Sequence, residues 1–324
     1  MLHHDHRIKY TIADEALRGQ LHVTIASSRG YMAVLGSSAR PRWYSCDDGS
    51  FVCEASAAAE RLGFSLAFEC AHDRLWIVYH KFGGNQLHVC SVLEGEFEFA
   101  VEHEGFRPCS VAVDHKHHRV LAIASNRVVA LSALDGSLLF EFALPPNRSE
   151  DWPDFLCVDQ ERDRIIVTDS NNNRVQVLSS IDGSFLFEFG SRGNQSGQLL
   201  LPHGVCIDNQ GRIIVADHSN RRLQAFTHEG HHISSFDCGT ESPAEVAFDE
   251  HRGLIAFSAG DRVHVIGANQ WLPGTFTWRP DLHRYAPSWM KQAVSTMTMI
   301  RSLVDESAMS MIPNELLFEI FSHL

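Results

Sequence analysis

Residues 152–190, WPDFLCVDQERDRIIVTDSNNNRVQVLSSIDGSFLFEFG, and residues 201–237, LPHGVCIDNQGRIIVADHSNRRLQAFTHEGHHISSFD, are one pattern written twice, joined by SRGNQSGQLL. Asp169 recurs as Asp217 and Arg174 as Arg222, each 48 residues on, and Gly183 recurs as Gly230 after 47. A fixed period of this size is the mark of stacked supersecondary units. Each copy breaks into four short apolar runs, in the first FLCVD, RIIVTD, RVQVL and SFLFEF. Runs of β-branched and aromatic residues bounded by Asp, Asn and Gly read as strands. Asp182-Gly183 is a hairpin signal, because Gly tolerates the positive φ of a tight turn. Four antiparallel strands in about 45 residues is the size of one propeller blade.

Working outward, the acidic end of the first strand falls at Glu69, Asp114, Asp159, Asp208 and Asp249, with Ala26 in the earliest copy. That makes six copies. Two residues before each anchor stands a small residue: Thr24, Ala67, Ala112, Cys157, Cys206 and Ala247. Their neighbours are large and apolar, as in Leu66 and Phe68 or Val205 and Ile207. Side chains alternate faces along a strand. The pattern therefore predicts an innermost strand buried on both faces, with the small residues where the next blade leans close. It assigns Cys157 and Cys206 to the core as small residues.

Third strands open on Arg127, Arg174, Arg222 and Arg262, with Gln86 and Arg42 in the less regular copies. In the two clearest copies an Asp closes the second strand, three residues before Asn172 or Asn220 and five before the Arg. An Asx-rich turn with an Asp–Arg pair across it is the expected structure. Phosphate binding by these arginines is the other reading, and their recurrence in blade after blade favours the structural one. An acidic residue and Gly precede the fourth strand at Asp48-Gly49, Glu94-Gly95, Asp135-Gly136, Asp182-Gly183 and Glu229-Gly230, but the sixth copy has no such pair. The N-terminal run from Arg7 to Ile12, RIKYTI, is expected to supply the missing strand and so remove the open edge.

The chain has 324 residues, and no run in it approaches the roughly 18 apolar residues of a membrane span. Its start, MLHHDHRIKY, lacks the apolar stretch of a secretory signal. Eight cysteines are scattered without a CxxC pair, which fits reduced thiols and argues against a zinc ribbon. The expected location is the cytoplasm or the nucleus, with no membrane partner. A net charge of −13 gives a field that repels phosphate backbones.

FGSRGNQSGQLLLPHGVCID followed by GRIIVADHSNRRLQAF resembles the NHL repeat, the propeller module of tripartite-motif proteins and their relatives. The resemblance extends over about residues 7–270. It implies an all-β, six-bladed β-propeller whose flat faces bind proteins or RNA. The expected organisation is a propeller over residues 1–270, a linker over 271–286 and a short α-helical C-terminal tail over 287–324. In the tail, Trp289, Ala293, Val294, Met297, Ile300 and Val304 fall at helical spacing. The last residues, MIPNELLFEIFSHL, are similar to the opening helix of an F-box, which continues for about two more helices. That resemblance implies that Pro313, Glu315, Leu316, Ile320 and Phe321 contact the Skp adaptor of cullin ubiquitin ligases.

No nucleophile elbow, phosphate-binding Gly loop or HExxH occurs. The clusters HHDH (His3–His6) and HKHH (His115–His118) read as a solvated terminus and a hairpin tip. Lyases and lactonases similar to NHL proteins hold a metal in the channel through His and Asp or Glu. Only Asp154 and His203 stand at matching positions here, short of a full ligand set. The sequence thus points to no cofactor and to a non-catalytic recognition module. Its binding face is expected at the entrances to the first strands and the turns between strands two and three. Lys81, Asn85, Trp152, Asp154, Asn171, Asn173, His203, His218 and Arg221 lie there, with Asn172 and Asn220 assigned to making the turns. A protein partner, delivered to a ubiquitin ligase, is the expected ligand. Single-stranded RNA is the alternative, with Lys81, Arg192, Arg221 and Arg222 as the available cations.

Overall fold

The structure is a computed structural model that describes residues 8–17, 19–36, 40–54, 63–81, 84–91, 97–101, 106–145 and 155–272. Among these, the strands form six antiparallel sheets of four, each a blade of one propeller. Five blades run in chain order over 22–54, 63–101, 108–143, 155–189 and 202–237. In the sixth, Pro243–Asp249, Leu254–Ala259 and Arg262–Gly267 are completed by Ile8–Ile12 from the N-terminus, as the missing hairpin signal predicts. Thr11 lies opposite His264 in that pairing, and Ile12 opposite Val263.

The core is six apolar layers, each between two neighbouring blades. Leu66 and Phe68 pack back onto blade one, whereas Ala67 between them faces blade three. The same division holds for Leu156 and Val158 against Cys157, and for Val205 and Ile207 against Cys206. The alternation read from the sequence is therefore the packing rule of the ring. Burial pushes the Cys157 and Cys206 thiols well up, which suits inert core residues. Trp271 and Leu272, at the start of the expected linker, are buried against blades five and six, with Trp271 5.9 Å from the Phe236 ring. Among the described residues the propeller's core thus includes Trp271 and Leu272. The expected tail over 287–324, with its five F-box-like positions, lies outside the described residues.

Two devices fix neighbouring blades together. The first-strand acids Glu69, Asp114, Asp159, Asp208 and Asp249 are all buried. Each accepts from backbone N–H groups of its own turn, as Asp208 does from Gln210 and Arg212, both at 2.9 Å. Arg119 donates to Asp114 and also to the Ser180 carbonyl of blade four, at 2.8 and 2.7 Å. Arg164 donates likewise to Asp159 and to the His228 carbonyl of blade five, at 2.6 and 2.7 Å. The second device is a glycine. A Cβ on Gly183, at φ +73°, would sit 2.3 Å from the Phe142 ring of the preceding blade. Gly49 is crowded the same way by Tyr10, whose hydroxyl donates to the Cys46 carbonyl at 2.8 Å.

Closure thus rests on Ile8–Ile12. Removing residues 1–12 loses the buried Ile12 and the contacts of Tyr10, a cost of about 3 kcal/mol or more. At about 2–4 °C per kcal/mol for a domain of this size, the thermal midpoint should fall by roughly 6–12 °C in one transition. An unchanged midpoint in calorimetry would reject closure by this strand.

Candidate functional site

The turns between strands two and three and the entrances to the first strands share one face, here called the upper face. Asp217 organises it in blade five and is fully buried. Its carboxylate accepts from Asn220 Nδ2 at 2.9 Å, Arg222 Nε at 2.7 Å and Gln224 Nε2 at 2.9 Å. It also accepts from the Leu200 N–H at 2.7 Å, which ties the incoming chain to the turn. Asp169 does the same in blade four with Asn172, Arg174 and Gln176, at 2.8, 2.8 and 3.1 Å. The turns are short 3-10 helices, Ser170–Asn172 and His218–Asn220, each followed by a left-handed residue, Asn173 or Arg221. The Asp–Arg pair across an Asx turn is confirmed, and the Gln two residues beyond the Arg completes it.

This network decides which side chains remain for a ligand. Arg222 is committed to Asp217 and to the Gln195 and Gln198 carbonyls, so it does not serve as a free phosphate contact. Asn173 is buried, and its Oδ1 accepts from the Leu201 N–H at 3.0 Å. It belongs to the frame rather than to the contact surface. Asn171 and Arg221 are exposed at the tips of their turns. Leu201, which sequence reasoning missed, is 39% exposed and held at φ +48°. A bulky side chain rarely adopts that conformation, and nothing local in the sequence announces it. Trp152 and Asp154 lie outside the described residues, as do the side chains of Lys81 and Asn85.

His203 and His218 are brought together, their rings stacked 4.2 Å apart at 17°. Phe155 also stacks on His203, with ring centroids 5.9 Å apart. Burial lowers His203 to about 4, helped by the positive charge that His218 and His22 carry when protonated. Burial also lowers His218. Below them runs a channel of about 250 Å³ lined by all six first strands. At its rim the buried Glu245 reaches across to the Val23 N–H at 2.6 Å. That carboxylate is used to join blade six to blade one. Among the described residues no three His, Cys, Asp or Glu side chains are placed to hold a metal ion. The HKHH run is a hairpin tip, where His117 Nδ1 lies 2.9 Å from Asp114.

Two measurements test this frame. Asp217→Ala removes the buried acceptor that Arg222, Asn220 and Gln224 share, so the unfolding free energy should fall by about 3–5 kcal/mol. The exposed Asp237→Ala serves as the reference, and equal losses would reject the frame. The histidines give a pH dependence. Unfolded, an imidazole takes up a proton near pH 6.5, whereas folded His203 resists until about 4. The stability it supplies is complete above pH 6.5 and declines as pH falls toward 4. His203→Phe keeps the stack and should flatten that decline in the thermal midpoint. A decline parallel to that of the unsubstituted protein would reject this role.

The NHL repeat pattern matches residues 151–178 and 199–226. A 42-residue stretch is 50% identical to Protein lin-41 of Caenorhabditis elegans, covering 13% of this chain and 4% of that protein. Among solved structures the chain is similar to the β-propeller domain of Cps50 (Swd1) from Myceliophteria thermophila. The TM-score there is 0.61 at 9% identity, over 80% of this chain and 99% of that one. It is also similar to a protein of unknown function from Bacteroides thetaiotaomicron, with TM-score 0.60 and 14% identity, over 79% and 72% of the two chains. At such identities the structural likeness speaks for the fold alone. The chain is a six-bladed β-propeller that carries NHL repeats in its fourth and fifth blades.

Proposed function

We propose that this propeller is a non-catalytic recognition module that binds a protein partner on its upper face and serves as a substrate receptor for a ubiquitin ligase supplied by other chains. The observation that carries the binding face is Leu201, an exposed apolar side chain in a left-handed conformation fixed by the Asn173 bond. Backbone strain of this kind persists where the surroundings over-determine it, and it concentrates at binding sites. Asn171 and Arg221 flank it as exposed polar groups on rigid turns, the arrangement of an apolar anchor with a polar rim. The histidines support a non-catalytic role, since each packs against the other and His203 against Phe155. A protein is favoured over RNA because Arg222 is already spent and the chain carries a net charge of −13. The ligase link rests on the F-box-like positions Pro313, Glu315, Leu316, Ile320 and Phe321.

Affinity capture with the full chain and with a chain lacking residues 312–324 tests both halves. The full chain should recover a Skp adaptor or cullin and the shortened chain should not. Recovery of no ligase component by either ends the ubiquitin reading. A Leu201→Asp, Arg221→Glu double variant should keep its thermal midpoint and lose at least about tenfold in partner capture. Salt-sensitive retention of random single-stranded RNA would replace the protein partner with RNA.

A further inference from the structure

A second hollow of about 540 Å³ opens on the upper face where blades five, six and one meet, walled by Gln20, His218, Glu241, Ala244, Gly260 and Asp261. Glu241 is held in place from behind. His264 Nε2 lies 2.8 Å from Glu241 Oε2, and Thr11 Oγ1 lies 2.9 Å from His264 Nδ1. With the hydroxyl donating to Nδ1, the Nε2–H donates to the carboxylate. The other oxygen, Oε1, has Arg262 Nη1 at 3.7 Å, and Arg262 Nε stands 3.8 Å from Asp261 Oδ1. Both distances exceed a hydrogen bond, so Arg262 is a loose ion-pair partner of the two carboxylates, and one guanidinium against two carboxylates leaves them net anionic with acceptor capacity for a ligand. His218 forms part of the wall, and among the described residues its Nδ1 is buried without a hydrogen-bond partner. Burial lowers its proton affinity, which favours the uncharged ring. The buried Ala244 supplies an apolar part of the lining, and a Cβ at the exposed Gly260 would meet nothing within 4 Å.

Apolar lining beside two carboxylates matches a long side chain with a methylene stem and a cationic head. We propose that this hollow receives a lysine or arginine side chain of the partner protein, which adds a charge requirement to the upper-face reading on which it rests. A phosphate group placed there would face two carboxylates against the single guanidinium of Arg262, a net repulsion.

The test uses amide signals of His218, Gly260 and Asp261 in the full chain, titrated with N-acetyl-Gly-Lys-Gly-amide and its arginine counterpart. Saturable shifts are expected below about 10 mM, the range of a single anchored side chain. The norleucine and glutamate counterparts should give none. Glu241→Gln with Asp261→Asn keeps the shape and an acceptor for His264, and should weaken the cationic peptides at least about fivefold. Equal shifts with norleucine, no saturable shift with lysine or arginine, or shifts produced instead by a uridine oligonucleotide would overturn the proposal. Leu201 and Arg221 are not among the hollow's walls. Partner capture that falls in the Leu201→Asp, Arg221→Glu variant while these titrations stay flat would sink the cation pocket and leave the binding face standing.

Discussion

Carboxylates held out of water at the strand ends carry this ring. Asp169, Asp217, Asp114 and Asp249 are fully buried, and an unpaired charge in such a place would cost several kcal/mol. What offsets the cost is a set of donors drawn mainly from the same hairpin. Around Asp169 and Asp217 these are the Asn three residues on, the Arg five on and the Gln seven on. Each carboxylate thus fixes the shape of one turn, and a turn of fixed shape presents its tip residues at a fixed angle. The stiffness of the upper face originates below its surface.

Within the ring, contacts between blades repeat a logic of unmet donors and acceptors. At the channel, first strands run side by side without a ladder between them, so some N–H groups need another partner. The Ser65 hydroxyl accepts from the Val111 N–H and Ser110 from the Leu156 N–H, at 3.3 and 3.2 Å. Glu245 serves Val23 in the same way. Between blades five and six the answer is proximity, since a Cβ on Gly204 would lie 2.7 Å from Glu245 Cα. Charge, hydroxyl and bare glycine are three solutions to one geometric problem, which is why the position shows no common residue type.

That variety marks the boundary of what the sequence discloses. Contacts inside a blade recur at small offsets, so the Asp–Asn–Arg turn, the small residue between two large ones and the missing sixth hairpin were all legible. Contacts across blades join residues tens or hundreds of positions apart, and nothing local signals them. The first-strand acids were visible as alignment anchors, yet their bonding through Arg119 and Arg164 to the next blade was not. The glycines before the fourth strands were read as turn residues, although Phe142 and Tyr10 press on them as well. On the upper face His203, His218 and Arg221 were picked out by position. The histidine stack and the conformation of Leu201 come from three-dimensional packing alone, and Asn173 proved to be part of the frame.

Pairing Thr11 with His264 spans 253 residues, and this has a consequence for synthesis on the ribosome. At roughly 5–20 residues per second, the first strand waits about 13–50 s before its partner emerges. Throughout that interval the N-terminal strand lacks its blade and blade one lacks the neighbour that Tyr10 and Ile12 provide. Unpaired strands with apolar faces are templates for association with other chains. Until blade six is made, that strand and the open side of blade one are therefore a hazard among crowded nascent chains, one that the finished ring no longer shares.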